Sequence, residues 1–98
     1  MPLQAAEVLQ VRAATLLQIG DGNRSYGVEL ACLQVPPEQR EAAADWLRRE
    51  LPRRERVNLR PTGQRDGQLQ ARVSRLATGS DLGEGLIAAG LALPEACG

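Results

Sequence analysis

The proline pair at positions 36 and 37 is the feature that most constrains how this chain folds. Before it, residues 28–34, "VELACLQ", alternate in the manner of a β-strand. After it, residues 38–51 carry apolar side chains at the three- and four-residue spacing of a helix. Proline cannot continue a strand ladder, but it suits the first turn of a helix, where no amide donor is needed. The pair therefore marks the end of a strand and the start of a helix, which Pro52 ends. The apolar stripe of this helix consists of Ala43, Trp46, Leu47 and Leu51.

Short alternating apolar runs predict four further strands. These runs cover residues 7–12, 15–19, 56–61 and 68–76. An Asp-Gly pair, which favours a hairpin turn, occurs in each of the two segments that join neighbouring strands, residues 20–27 and 62–67. The strands are therefore expected to pair in antiparallel fashion.

A second helix is predicted near the C-terminus. Asp81 stands three residues before Glu84, which is the spacing of a capping box, and Gly90 is a natural C-terminal stop. The order β-β-β-α-β-β-α predicts an α+β, mainly β fold: a five-stranded OB-type barrel with a helix between strands 3 and 4 and a second short helix near the C-terminus. Residues 91–93, "LAL", are a possible last strand. One domain is expected to span residues 7–93, between a disordered N-terminal segment of residues 1–6 and a tail of residues 94–98.

Composition narrows the possible chemistry. The 98 residues include 12 basic and 12 acidic ones, so no net charge draws the chain to nucleic acid or anionic lipid. Histidine is absent, which removes the usual general base and any Ser-His or Cys-His dyad. The aromatic residues are Tyr26 and Trp46, so few rings are available to stack on bases. Leu, Val and Ala must fill the core.

All of the basic residues are arginines, and half of them fall in one short segment. Two interpretations of this segment stay open. It is either the solvated end of a helix, neutralised by Asp45, Glu50 and Glu55, or a surface that binds phosphate or a partner. Asp45 is expected to pair with Arg49 at the i, i+4 spacing. The candidate binding residues are Arg48, Arg49, Arg53, Arg54, Arg56 and Arg60.

The two cysteines, Cys32 and Cys97, lie too far apart in the chain for a C-x-x-C redox motif. They form either one disulfide that ties the tail to the sheet or two buried free thiols.

No segment reaches the length of a membrane span, and the N-terminus lacks the regions of a signal peptide. The small residues Ala5 and Ala6 suit a cleavage junction. A disulfide would therefore favour an exported location, whether periplasmic, lumenal or secreted.

Three blocks of the sequence resemble the staphylococcal nuclease, or thermonuclease-like, family. "VELACLQVPP" is similar to V-R-L-x-x-I-D-x-P-E, "QRDGQLQARV" to D-R-Y-G-R-x-L-A-x-V, and "DLGEGLIAAGLA" to D-L-N-x-x-L-V-x-x-G-L-A. The resemblance runs from about residue 7 to residue 92. It implies the barrel fold and calcium-dependent phosphodiester hydrolysis, in which two acids and a threonine carbonyl hold the cation, a glutamate orients water and two arginines neutralise the phosphate.

Aligned without gaps, the chain differs from the family at each charged position. Ala14 stands at one metal-ligating aspartate and Gln34 at the other, so the resemblance predicts no metal ligand and no cofactor. Glu29 and Gln68 stand at the two arginines, and Pro37 at the glutamate. These degenerate positions imply that no catalytic residue remains.

A one-residue slip would bring Glu38 to the glutamate position. A first-turn helix acid, favoured there by the helix dipole, is the simpler interpretation of that residue.

Three functional hypotheses follow. The first is a catalytically degenerate domain that serves as a protein-interaction or structural module, through residues 48–60 and the cleft around Glu29, Gln34 and Gln68. The second is a weak or altered calcium-dependent nuclease, and the third is nucleic-acid binding without cleavage. The second hypothesis would rely on Asp21, Glu29, Glu38 and Asp66.

The resemblance also implies that family nucleases continue into a further C-terminal helix. Without that helix a barrel surface would be uncovered, unless the tail folds back over it through a Cys97–Cys32 bond.

Overall fold

The computed structural model describes residues 6–97, which form strands and two helices. The strands are β1 (Ala6–Val11), β2 (Leu16–Asp21), β3 (Arg24–Leu30), β4 (Leu33–Gln34), β5 (Arg56–Arg65), β6 (Gln68–Arg75) and β7 (Leu93–Pro94). The helices are α1 (Arg40–Glu50), which follows a single 3-10 turn (Pro37–Gln39), and α2 (Leu82–Ala88).

Five strands close into a barrel in the order β1-β2-β3-β6-β5, and β5 pairs with β1 to complete it. The neighbours are antiparallel except for β3 and β6, which run parallel with Glu29 opposite Gln70. Closure gives the exposed backbone groups of each barrel strand a partner. The predicted α+β fold, a five-stranded OB-type barrel with one helix between its third and fourth strands and another near the C-terminus, is confirmed.

Aliphatic side chains fill the barrel, as the absence of phenylalanine requires. Alternate residues of each strand point inward, so Leu17 and Ile19 of β2 are fully buried while their neighbours are partly exposed. Leu47 of α1 and Leu86 of α2 complete the same core. At about 25 cal/mol per Å² of apolar surface, burial of these side chains is the main stabilising contribution to the fold.

Helix α1 begins later than predicted, because Pro36 and Pro37 lead into a 3-10 turn and the α-helix starts at Arg40. Its predicted apolar stripe is buried, except that Trp46 is half-buried and packs against Gly85 of α2. The predicted Asp45–Arg49 pair is wrong. Asp45 Oδ1 lies 3.2 Å from Arg48 Nη1 instead, since side chains three residues apart also share a helix face.

Helix α2 has the predicted ends. The Asp81 carboxylate accepts a hydrogen bond from the Glu84 amide at 2.9 Å, which satisfies a donor that the first turn leaves unpaired. At the other end Gly90 has φ = 77°, and the Leu91 amide reaches back to the Leu86 carbonyl at 2.9 Å. That left-handed glycine is the helix stop that the sequence predicts.

The third strand ends earlier than predicted. It was expected to span residues 28–34, but β3 stops at Leu30 because Cys32 has φ = 67°, a left-handed conformation that breaks the ladder. An unbroken strand over residues 28–34 would place Cys32 on the same face as Val28 and Leu30, but the break at Cys32 ends that alternation. Beyond the break, the chain forms β4, which pairs with β7.

The hairpins are tighter than predicted. Strands β5 and β6 extend to the two-residue Asp66–Gly67 turn, where φ is 53° at Asp66 and 79° at Gly67. Two successive residues with positive φ match the twist of the strands in a two-residue hairpin, so the pairing reaches the turn.

At the N-terminus, β1 starts at Ala6, which the sequence placed in the N-terminal segment, and the rest of that segment lies outside the described residues. Neither helix in the described part has the length and hydropathy to cross a membrane.

Candidate functional site

A cleft of about 660 Å³ lies where several loops meet beside the barrel. Its walls come from the β1–β2 loop, the end of β3 with the segment that follows it, the first residue of α1, the β5–β6 hairpin and the C-terminal tail. OB barrels bind their ligands at the loops after the first and fourth barrel strands, which here are the β1–β2 loop and the β5–β6 hairpin. The fold therefore places this cleft at a position suited to binding.

The structure brings together three of the five positions where the chain departs from the nuclease pattern. Ala14, Glu29 and Gln34 line the cleft. Pro37 is exposed in the 3-10 turn, and Gln68 packs against Gly27 beside a different cavity. The expectation that Glu29, Gln34 and Gln68 share one cleft is therefore wrong for Gln68, because its side chain packs against Gly27 of β3 instead.

The acids on which residual hydrolysis would depend are not gathered in one place. Glu29 lines the cleft, whereas Asp21 ends β2 beside Tyr26 and Asp66 occupies the hairpin turn. Glu38 is exposed in the 3-10 turn and is not part of the cleft wall.

Glu29 has a defined partner in the cleft. The Gln70 side-chain amide donates to its carboxylate, with Nε2 and Oε1 3.0 Å apart. The two residues are register partners on the parallel strands β3 and β6, and their side chains lie on the same outer face of the sheet. The hydrogen bond holds a negative charge where the nuclease pattern has an arginine.

The C-terminal tail forms one wall of the cleft. Cys97 is disulfide-bonded to Cys32, with 4.8 Å between their Cα atoms, and the Glu95 amide donates to the Cys32 carbonyl at 2.9 Å. Of the two interpretations of the cysteines, the disulfide is confirmed and the pair of buried thiols is wrong, since Cys97 is exposed and Cys32 only half-buried. The tail folds back beside β4, as the sequence allowed.

Four charged groups line the cleft, and the sequence pointed to only one of them. Arg40 and Arg65 bring positive charge, and Glu29 and Glu95 bring negative charge. Arg40 and Arg65 belong to the start of α1 and the end of β5, and Glu95 to the tail. The sequence around Arg40, Arg65 and Glu95 gives no sign that they lie together, because the closed barrel and the disulfide bring them to one place.

These residues do not fit calcium. The cation takes six to eight oxygen ligands, with carboxylates prominent among them. At the positions of the family's two aspartates the cleft has the methyl group of Ala14 and the neutral amide of Gln34, and the Glu29 carboxylate is hydrogen-bonded to Gln70. Within residues 6–97, no three His, Cys, Asp or Glu side chains form a group that could hold a metal ion.

The arginine segment is less neutralised than the sequence suggested. Glu50 and Glu55 contact Arg75, at 3.6 Å and 3.4 Å, and so turn away from the arginines beside them in sequence. In the described part of the chain, only Arg48 among the six candidates has an ion pair, with Asp45. The others are exposed and have no carboxylate partner within residues 6–97: Arg49, Arg53, Arg54, Arg56 and Arg60.

A second cavity, of about 450 Å³, lies on the β2–β3 and β5–β6 hairpins and contains Tyr26. Burial raises the pKa of the Tyr26 phenol, and the Asp21 carboxylate raises it further by repulsion and as a hydrogen-bond partner, while Arg24 opposes this. The phenol is therefore held in its neutral form.

Comparison of the chain with protein-family models and with curated proteins finds no match.

Proposed function

We propose that this barrel is a nuclease-like domain that lacks the catalytic groups and acts as a protein-interaction module, with the cleft as a contact surface. The observation that carries the proposal is the Glu29–Gln70 hydrogen bond. It fixes a carboxylate where phosphate hydrolysis would need an arginine, and a negative charge at that place repels a phosphate group.

The charge pattern of the cleft supports a polypeptide ligand. Two arginines and two glutamates line it, so its charges balance. A polyanion would meet both Glu29 and Glu95, whereas a protein surface can offer carboxylates to the arginines and cationic groups to the glutamates. Such complementarity of sign gives specificity to protein–protein contacts.

The cleft wall is also pre-organised. The disulfide and the Glu95–Cys32 backbone hydrogen bond fix the tail against the segment that follows β3. A wall that is already ordered loses little conformational entropy when a partner binds.

The test combines a cleavage assay with a capture assay. With calcium and single-stranded DNA or RNA, the purified protein is expected to show no calcium-stimulated cleavage. Immobilised protein is expected to capture a specific protein from its own source, and Glu29→Arg is expected to abolish that capture. Arg24→Gln, a change on the β2–β3 hairpin, should leave it intact. Calcium-stimulated cleavage that disappears in Glu29→Ala or Glu38→Ala would instead establish the nuclease hypothesis.

One observation favours a second candidate, nucleic-acid binding without cleavage: the position of the cleft beside the loops that OB barrels use, with Arg40 and Arg65 in its wall. Phosphate contacts of this kind weaken steeply between about 50 and 200 mM salt. Binding of an oligonucleotide that falls in this way, and that is lost in Arg40→Gln and Arg65→Gln, would support this candidate over a protein ligand.

A further inference from the structure

We propose that the exposed arginines Arg49, Arg53, Arg54 and Arg56, here called the arginine surface, bind an acidic protein segment that inserts one apolar side chain into the groove beside them. The inference rests on the proposed function in one respect, since both treat the barrel as a protein-binding module. It adds a second contact surface, separate from the cleft, and a chemical class of partner.

No arginine of this surface forms an ion pair with the described residues. Glu50 and Glu55, the acids within the same segment, contact Arg75. Glu7 lies across from Arg56 in the β1–β5 pairing, yet no ion pair joins them in the described part of the chain. Guanidinium groups bind carboxylates through two parallel hydrogen bonds, so an acidic segment complements this surface.

Arg54 supplies an independent observation. Its φ is 73°, in the left-handed region where glycine is the residue of least strain. Its side chain is exposed and has no hydrogen bond or ion pair with the described residues. Glycine would adopt the same backbone conformation with less strain. A strained residue with no structural role points to a role in binding.

The turn that presents these arginines is fixed to the barrel. The Arg54 amide donates to the Val8 carbonyl at 2.7 Å, the Val8 amide donates to the Glu55 carbonyl at 3.0 Å, and the Glu55 amide donates to the Pro52 carbonyl at 3.0 Å. The guanidinium groups thus extend from an ordered backbone, which lowers the entropic cost of binding.

A groove of about 290 Å³ beside the turn distinguishes a protein segment from nucleic acid. Leu9, Val11 and Leu51 supply apolar surface in it, and Arg48 and Arg53 border it. Arg48 is paired with Asp45, so Arg53 is the bordering arginine left for a carboxylate next to an apolar side chain seated in the groove. Neither aromatic residue of the chain lines the groove, so it offers no ring for a base to stack on.

The experiment measures the fluorescence anisotropy of a labelled acidic peptide in which one leucine lies between two short runs of glutamate. The protein is expected to bind it at low salt, and the Arg53→Gln/Arg56→Gln double variant is expected to bind it about tenfold more weakly. Arg54→Gly should also weaken binding while its melting temperature stays equal or rises, because glycine relieves the left-handed strain. Arg24→Gln, on the β2–β3 hairpin and outside the lining of the groove, is the matched control and should bind the peptide normally.

Three comparison probes complete the design. Peptides with lysine in place of glutamate, or serine in place of the leucine, should bind more weakly, and so should an oligothymidine of matched charge. The proposal is overturned if the acidic peptide does not bind, if Arg24→Gln weakens binding as much as the double variant, or if oligothymidine binds more tightly. None of these results bears on the proposed function, which is tested at Glu29 and by the cleavage assay.

Discussion

Gln70 and Glu29 face each other across the parallel pair β3 and β6, and the amide Nε2 of Gln70 lies 3.0 Å from the carboxylate Oε1 of Glu29. Both side chains are partly buried in the wall of the cleft. The contact links the two parallel neighbours of the barrel, and it holds one of the four charged groups of the cleft in place. Structure and proposed function thus depend on the same hydrogen bond.

Replacing Gln70 by alanine is expected to lower the free energy of unfolding by about 1 kcal/mol, because a partly buried carboxylate loses its donor. Urea unfolding of Gln70→Ala, Glu29→Ala and the double variant gives the coupling energy between the two side chains, which should be about 0.5 to 1 kcal/mol. Asn58→Ala, at an exposed position of β5, is the control and should show no coupling to Glu29. A coupling energy near zero for Gln70 and Glu29 would contradict the prediction.

Reducing the disulfide is expected to destabilise the domain by about 4 kcal/mol in the loop-entropy model, since the bond joins residues 65 positions apart. Urea unfolding with and without a dithiol reductant measures the change. The Cys32→Ser/Cys97→Ser variant is the control, because its stability should equal that of the reduced protein and should not respond to reductant.

Hydrogen exchange gives the local readout of the same change. The Glu95 amide donates to the Cys32 carbonyl and should exchange faster once the disulfide is reduced, because the tail then depends on non-covalent contacts such as the two-residue pairing of β4 with β7. Protection at Glu95 that is equal in both states would show that the disulfide does not fix this wall of the cleft.

The fold was predictable from the sequence because its signals are local. Alternating apolar residues, the Asp-Gly turn at Asp66 and the cap at Asp81 each depend on a few neighbouring residues, and the structure retains them. The ends of β3 were less predictable. Residues 31–34 continue the alternation, but the strand breaks at Cys32, whose disulfide partner is far away in the sequence.

The site was predictable only in part, because it is assembled from distant segments. Ala14, Glu29 and Gln34 could be placed together through the resemblance to a nuclease pattern. Arg65 could not, since its place in the cleft follows from the length of the β5–β6 hairpin. Glu95 likewise reaches the cleft through the disulfide and the β4–β7 pairing beside it.

Gly85→Ala is expected to destabilise the domain by about 1 to 3 kcal/mol, although alanine favours helices, because overpacking a filled contact forces rigid groups apart. A Cβ at position 85 would lie 2.5 Å from the Cη2 atom of the Trp46 ring. Urea unfolding and the emission of Trp46, the single tryptophan, report the effect. Ala88→Gly, at an exposed position of α2, is the control: it should cost about 1 kcal/mol without changing the emission. A Gly85→Ala protein as stable as the parent would show that the ring moves aside freely.

Ionisation of Tyr26 is expected to occur at a pH above its ordinary pKa of 10.0, because burial and the Asp21 carboxylate both raise the pKa of the folded phenol. The folded state therefore holds this proton more tightly than the unfolded state does. Its contribution to stability is complete below pH 10 and is lost as the pH rises from there through the folded-state pKa.

Tyrosinate absorbance during alkaline titration measures the ionisation of Tyr26 directly, since the chain has a single tyrosine. Asp21→Asn should lower the midpoint, and Arg24→Gln should raise it, because the guanidinium of Arg24 favours the phenolate. A midpoint at the ordinary value that neither substitution moves would show that Tyr26 does not feel these charges.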